Sequence, residues 1–182
     1  MTRLILSIAT VMVLAAGCIN PSVPKFYPTI SGTQLVFEQL VLQGRDPGGT
    51  YRGNRAHLIV LSSSKNQLSK TLEWVRPVDK DKILSVDYSN YVVILAFNGF
   101  RELLDRVFTV ERIIQTDKAI LVIARFNEFI PEATSLITIT DNSQYDAVKI
   151  SKSQITHNGR ITFQLVDQTG KVRATATAEV PR

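Results

Sequence analysis

Between residues 160 and 180 apolar and polar side chains alternate with hardly an exception. Ile161, Phe163 and Leu165 interleave with Arg160, Thr162 and Gln164. Val172, Ala174, Ala176, Ala178 and Val180 then interleave with Lys171, Arg173, Thr175, Thr177 and Glu179. Successive side chains of a strand point to opposite faces, so a sustained period of two requires a sheet with one buried and one wet face. Asp167-Gln168-Thr169-Gly170 lies between the two runs and has the composition of a turn, so the pair is expected to be a hairpin.

The same reading extends upstream. Residues 91–97 are almost continuously apolar, as in a strand buried on both faces. Residues 107–114 and 119–126 flank Gln115-Thr116-Asp117-Lys118, a hairpin signal. Residues 136–140 and 145–150 flank a second short turn, 141–144, and residues 35–42 and 57–61 supply two more apolar runs. One stretch has helical spacing. Ser63 or Ser64 caps it, and Leu68, Leu72 and Val75 recur on one face beside Trp74. Arg76-Pro77 is expected to end this helix, since proline disfavours helical geometry in the residue before it. The expected fold class is α+β. It has about nine short strands in a mainly antiparallel sheet or small sandwich, with one helix.

The first residues follow different rules. Arg3 is followed by an apolar run, residues 4–14, and by the small residues Ala15-Ala16-Gly17. The run is too short to cross the roughly 30 Å of bilayer hydrocarbon as a helix. Next comes Cys18, the only cysteine in the chain. A positive start, a short apolar stretch and a small-residue cleavage segment mark a secretory signal peptide. Leu14-Ala15-Ala16-Gly17-Cys18 resembles the lipobox of bacterial lipoprotein precursors. That resemblance implies cleavage between Gly17 and Cys18, a diacylglyceryl thioether on the thiol, and fatty acylation, such as palmitate, of the new amine. The family favours leucine where this chain has Ala15, with Leu14 one place further out. Two other readings are an ordinary signal peptide with a bystander cysteine and a membrane-anchored helix. A lone unpaired thiol outside the cell argues against the first.

On this reading residues 1–17 are a signal peptide. Residues 18–34 are the lipidated Cys18 and a proline-rich tether, and 35–182 are a single β-rich globular domain. Membrane lipid is the first expected partner, through acylated Cys18. The site is the bacterial cell membrane or outer membrane, on a side away from the cytoplasm; Ile19 is not the aspartate that favours inner-membrane retention in that family.

The net charge of +5 at pH 7 is spread along the chain, with runs such as Lys80-Asp81-Lys82 mixing signs. Nucleic acid is therefore not an expected partner. No catalytic constellation emerges. The two histidines, His57 and His157, have no carboxylates at matching spacing and suggest neither a triad nor a zinc site. Ser62-Ser63-Ser64 lacks a nucleophile elbow, and Pro47-Gly48-Gly49-Thr50 lacks the lysine of a phosphate loop. Asp79 and Asp81 alternate with Lys80 and Lys82 as a solvated loop would. Asp141 and Asp146 are too few for a calcium cage. The expectation is no enzyme, no metal and no cofactor.

Residues 42–150 carry a second resemblance. Leu42-Gln43-Gly44 precedes a turn-rich loop, Leu72 and Trp74 lie on the expected helix, and Val86-Asp87-Tyr88 leads into residues 91–99. Tyr145-Asp146-Ala147-Val148-Lys149-Ile150 follows. Together these resemble the C-terminal domain of PrcB-type proteins, a protease-complex-associated family found in bacterial lipoproteins. The chain departs from that pattern after Gly99, where residues 100–106 replace a Thr-Gly-Gly-aromatic turn. The resemblance implies a non-catalytic accessory or binding role with a protein partner. Loop 44–54, with Tyr51 and Arg52, is the expected contact, because loops carry function and these side chains enrich interfaces. A mere connector is the competing reading of the loop. A structural envelope lipoprotein and, further off, an envelope hydrolase are the competing readings of the chain.

Overall fold

A computed structural model describes residues 29–41, 51, 53–63, 72–101, 108–126 and 142–181. Gly17, Cys18, Arg52, most of loop 44–54 and the expected strand 136–140 lie outside the described residues. The ordered elements are β1 (Thr33–Leu35), β2 (Phe37–Val41), β3 (His57–Leu61), α1 (Pro77–Leu84), β4 (Tyr91–Arg101), β5 (Thr109–Gln115), β6 (Ile120–Arg125), β7 (Asn142–Ser151), β8 (Gly159–Val166) and β9 (Val172–Val180). The strands form two sheets, a five-stranded one in the order β1-β5-β6-β8-β9 and a four-stranded one in the order β2-β7-β4-β3. Every pairing is antiparallel except that of β6 with β8, where Ile120 lies opposite Phe163.

The period-two pattern does what strand geometry requires. In β8, Ile161, Phe163 and Leu165 turn inward and are buried, and Phe163 faces Ala176 of β9 across the hairpin. They meet Val92, Ile94 and Ala96 of β4 and Val148 and Ile150 of β7, so the main core lies between the sheets. Residues of opposite parity, Val93, Leu95, Phe97, Tyr145 and Ala147, form a second core on the far face of the four-stranded sheet. Leu72, Val75, Ile83, Val86 and Tyr88 cover that face. β4 is therefore the middle layer of three, and residues 92–97 are fully buried, as its continuous apolar run requires. Burial of each such Val, Ile, Leu or Phe side chain contributes about 1.5–3 kcal/mol.

The helix lies elsewhere than the apolar spacing implies. Residues 64–71 are outside the described set, and Leu72–Trp74 is a single 3-10 turn. The α-helix runs from Pro77 to Leu84, so the proline read as a terminator is the first helical residue. At that position its missing N–H has no helical acceptor to lose, and its fixed φ suits the helix. Arg76 before it is extended (φ −56°, ψ 143°), as proline demands of its predecessor. Four charged residues in eight hide the pattern, and only Asp79 and Ile83 are buried.

Three other boundaries differ from expectation. The run 35–42 breaks at Val36, where the chain leaves the five-stranded sheet and enters the four-stranded one. β1 begins at Thr33, inside the stretch read as a tether, and Ile30 packs near Ile114 and Ile123 on the outer face of the five-stranded sheet. Residues 142–144, read as a turn, begin β7 and pair with residues 99–101 of β4.

Side-chain carbonyls complete the ladders where strands run out. The Gln154 amide accepts from Val36 N–H at 2.8 Å and donates to Val36 C=O at 3.0 Å, closing the corner between β1 and β2. Gln168 holds Phe126 in the same two-bond way, both bonds at 3.0 Å. Gln144 accepts from Phe108 N–H at 3.0 Å and Asp146 from Val110 N–H at 2.7 Å, tying β7 to the start of β5 beside its bulge. These bonds satisfy backbone groups that burial or edge position would otherwise leave unpaired.

Candidate functional site

The topology gives the sandwich two unlike ends. At the proximal end residues 29–32 come in to β1, β5 and β7 finish, and β6 and β8 begin. At the distal end β2, β4 and β6 finish, and β3, β5 and β7 begin. The connections 42–56, 102–107 and 127–141 therefore all leave from and return to the distal end.

An aromatic cluster marks that end, on the helix-covered face of the four-stranded sheet. Phe97 from β4 is at its base, against Tyr145 of β7 at 5.6 Å between ring centres. His57 opens β3 opposite Phe97 and lies 6.3 Å from it. Trp74, from the 3-10 turn, stands edge-on to His57 at 5.3 Å and to Phe97 at 6.1 Å. Tyr51 closes the group, stacked on His57 at 5.6 Å and 4.9 Å from Trp74. Four chain segments thus each supply one or two rings. Tyr51, His57 and Trp74 are half-buried, while Phe97 and Tyr145 are inaccessible.

Two details fix the approach of residues 53–56 to this cluster. The Tyr51 hydroxyl donates to the carbonyl of Arg55 at 3.1 Å, so the segment folds back over its own tyrosine. Gly99 of β4 has φ +83°, and a Cβ there would lie 2.7 Å from that same Arg55 carbonyl oxygen, so only glycine permits the contact. Next to it Asn98 is buried, and no hydrogen-bond donor among the described residues reaches its Oδ1.

Below the rings lies a polar knot. The Tyr145 hydroxyl donates to Asp79, Arg76 Nε donates to the same carboxylate at 2.7 Å, and Arg76 N–H donates to the Tyr145 oxygen at 3.3 Å. Burial, and then the bond to Asp79, push the Tyr145 phenol well above its ordinary range, so it remains a donor. The knot fastens α1 to the sheet. Asp79, read as part of a solvated loop, is buried in it, whereas Asp81 is exposed. Tyr88 does the same at the other end of the helix, with its hydroxyl on Ile83 C=O at 2.9 Å and its phenol pushed up to about 12 by burial.

Of the residues singled out by sequence, Tyr51 lies at the distal end, half-buried in the aromatic cluster. The two histidines belong to opposite ends: His157 is proximal, its Nε2 within 2.8 Å of the Thr116 carbonyl. Ser62 donates to the Glu179 carbonyl, bridging β3 to β9. Among the described residues no three His, Cys, Asp or Glu side chains gather as a metal would require, and no helix is long and apolar enough to cross a membrane. Trp74, Phe97 and Tyr145 are the ring residues that sequence spacing does not connect, since each lies in a different element. No protein-family model, curated protein or solved structure matches this chain.

Proposed function

We propose that this chain is a bacterial lipoprotein, anchored through acylated Cys18, whose sandwich is a non-catalytic accessory or binding module holding its distal end toward a protein partner. The observation that carries the reading is the polarity of the chain. The N-terminal segment arrives at one end of the sandwich, while the strand ends that flank connections 42–56, 102–107 and 127–141 lie with the aromatic cluster at the other. Residues 18–28 span at most roughly 35 Å when extended. A lipid at Cys18 would keep the proximal end near the bilayer and leave the distal loops facing away from it. Loops on a rigid scaffold are where recognition concentrates. The sequence resemblance to PrcB-type domains makes a protease complex the first partner to test.

Two measurements test this. Mass spectrometry of the N-terminus of the membrane-extracted protein is expected to find Cys18 first and acylated, and Cys18→Ser is expected in the aqueous fraction. A photo-crosslinker at Arg55, distal and exposed, is expected to capture a defined protein that the same probe at Lys118, proximal and exposed, does not. An unmodified Cys18 in a soluble wild-type protein overturns the anchor. Capture of lipid alone from both positions overturns the binding role and favours a structural envelope protein.

A further inference from the structure

We propose that His57 is an acid-sensitive latch that holds Tyr51 and residues 53–56 against the four-stranded sheet. The latch does not depend on the function proposed above. It rests on what touches the imidazole. Tyr51 stacks on it at 26° between ring planes, Trp74 meets it edge-on at 79°, and Phe97 lies beneath. Among the described residues, all of its contacts are rings, and none gives it a hydrogen bond. The charged groups on the neighbouring elements are otherwise placed. Arg76 and Asp79 pair with each other, and Arg55 and Glu73 are exposed. From β4 and β7 the cluster receives only Phe97 and Tyr145.

A proton on this ring would therefore be a half-buried cation with no carboxylate among the described residues to answer it. The Tyr51 and Phe97 rings offer cation–π attraction, which compensates only in part for lost hydration. Burial accordingly lowers the imidazole from its usual value of 6.5. The ring is neutral at pH 7, and protonation in mild acid favours conformers in which it reaches water. Such a move removes the stacking partner of Tyr51. Tyr51 is the residue that holds its segment down, because the Arg55 carbonyl and the close-packed Gly53 wrap around it. Detachment of His57 thus frees Tyr51 and residues 53–56 together.

The chain carries its own reporter, since Trp74 is the only tryptophan and the imidazole ring centre is 5.3 Å from its own. Titration of the full folded domain from pH 8 to 4 should be followed by the NMR shifts of the His57 ring protons, by Trp74 fluorescence and by hydrogen exchange at residues 53–56. The expected result is a His57 midpoint below 6.5 with a parallel fluorescence change. Protection at residues 53–56, corrected for intrinsic rates, should fall by about tenfold across it. His57→Phe should keep that protection in both acid and neutral solution. A midpoint above 6.5, or protection unchanged through the His57 midpoint, overturns the latch. The NMR titration of the wild-type protein decides the matter even if the variant does not fold.

Discussion

At the proximal end the β5–β6 turn is short and pinned by its own residues. Thr116 closes the β5–β6 turn with N–H and hydroxyl bonds to Ala119 C=O, both 2.9 Å, and accepts Ala119 N–H at 3.1 Å. Between β7 and β8, Ser151 caps the 3-10 turn and Gln115 accepts Thr156 N–H at 3.1 Å. At the distal end the β8–β9 turn is built in the same way. There Asp167 accepts from Thr169 and Lys171 N–H at 2.9 and 3.0 Å, and from Arg173 at 2.5 Å. Although burial opposes it, these bonds hold the Asp167 carboxyl below the usual carboxylate range. The other distal ties among the described residues join positions far apart in the chain: the aromatic cluster, the Tyr145–Asp79–Arg76 knot, and the side-chain oxygens of Gln144, Asp146 and Gln168. A turn secured by its own residues is stable on its own account, whereas a tie between remote residues is only as firm as the cores behind it.

The sharpest way to break this contrast is Phe97→Ala. It removes the base of the aromatic cluster, ring partner to Tyr51, His57, Trp74 and Tyr145. A loss of about 3–5 kcal/mol is expected from urea denaturation, as for other buried aromatic truncations. Protection at residues 53–56 should fall with it while the Thr116–Ala119 turn keeps its own. Equal loosening of both turns would mean that the two ends are not independently secured.

A smaller effect should come from pH. Asp146 is buried between the sheets, and burial pushes its carboxyl up to about 6 despite the bonds from Val110, Gln39 and Ala147. The folded value thus lies above the unfolded value of 3.8. The native state holds the proton more tightly, so this group's contribution to stability rises as pH falls through 6 and levels off below 4. The whole change is about 2–3 kcal/mol. Urea midpoints at pH 5 and 8 should differ in that sense, less so in Asp146→Asn, and unchanged in the proximal Gln154→Ala. An identical pH slope in Asp146→Asn would remove this carboxyl from the distal tie.

The smallest effect compares the two glutamine clamps. Phe126 is 5% exposed and Val36 is 74% exposed. Water can replace the amide at Val36 but not at Phe126, so Gln168→Ala should cost about 1–2 kcal/mol and Gln154→Ala less than about 1. Thermal unfolding of both variants checks the order; a larger loss for Gln154→Ala contradicts it.

Much of the fold is legible in the chain because strand burial is written as a period of two. The hairpin of β8 and β9 and the double burial of β4 follow from Ile161, Phe163, Leu165 and residues 91–97 alone. The helix is not legible, because α1 is held by one buried isoleucine and by Asp79, whose partner Tyr145 is far along the chain. Of the candidate site, Tyr51 is suggested by its loop, but His57, Trp74 and Phe97 carry no shared spacing that would unite them.

The amino-acid sequence by itself determined the β-rich class, the alternating faces of β8 and β9 and the double burial of β4, since these depend only on which side of the backbone each neighbour projects. It also carries the Cys18 motif on which the proposed anchor depends. The tertiary structure alone decided that β1 and β2 part company at Val36, that Pro77 starts a helix, and that five rings from four distant segments share one end. Those outcomes arise from contacts between residues remote in sequence, and no local pattern encodes which remote partner a side chain will meet.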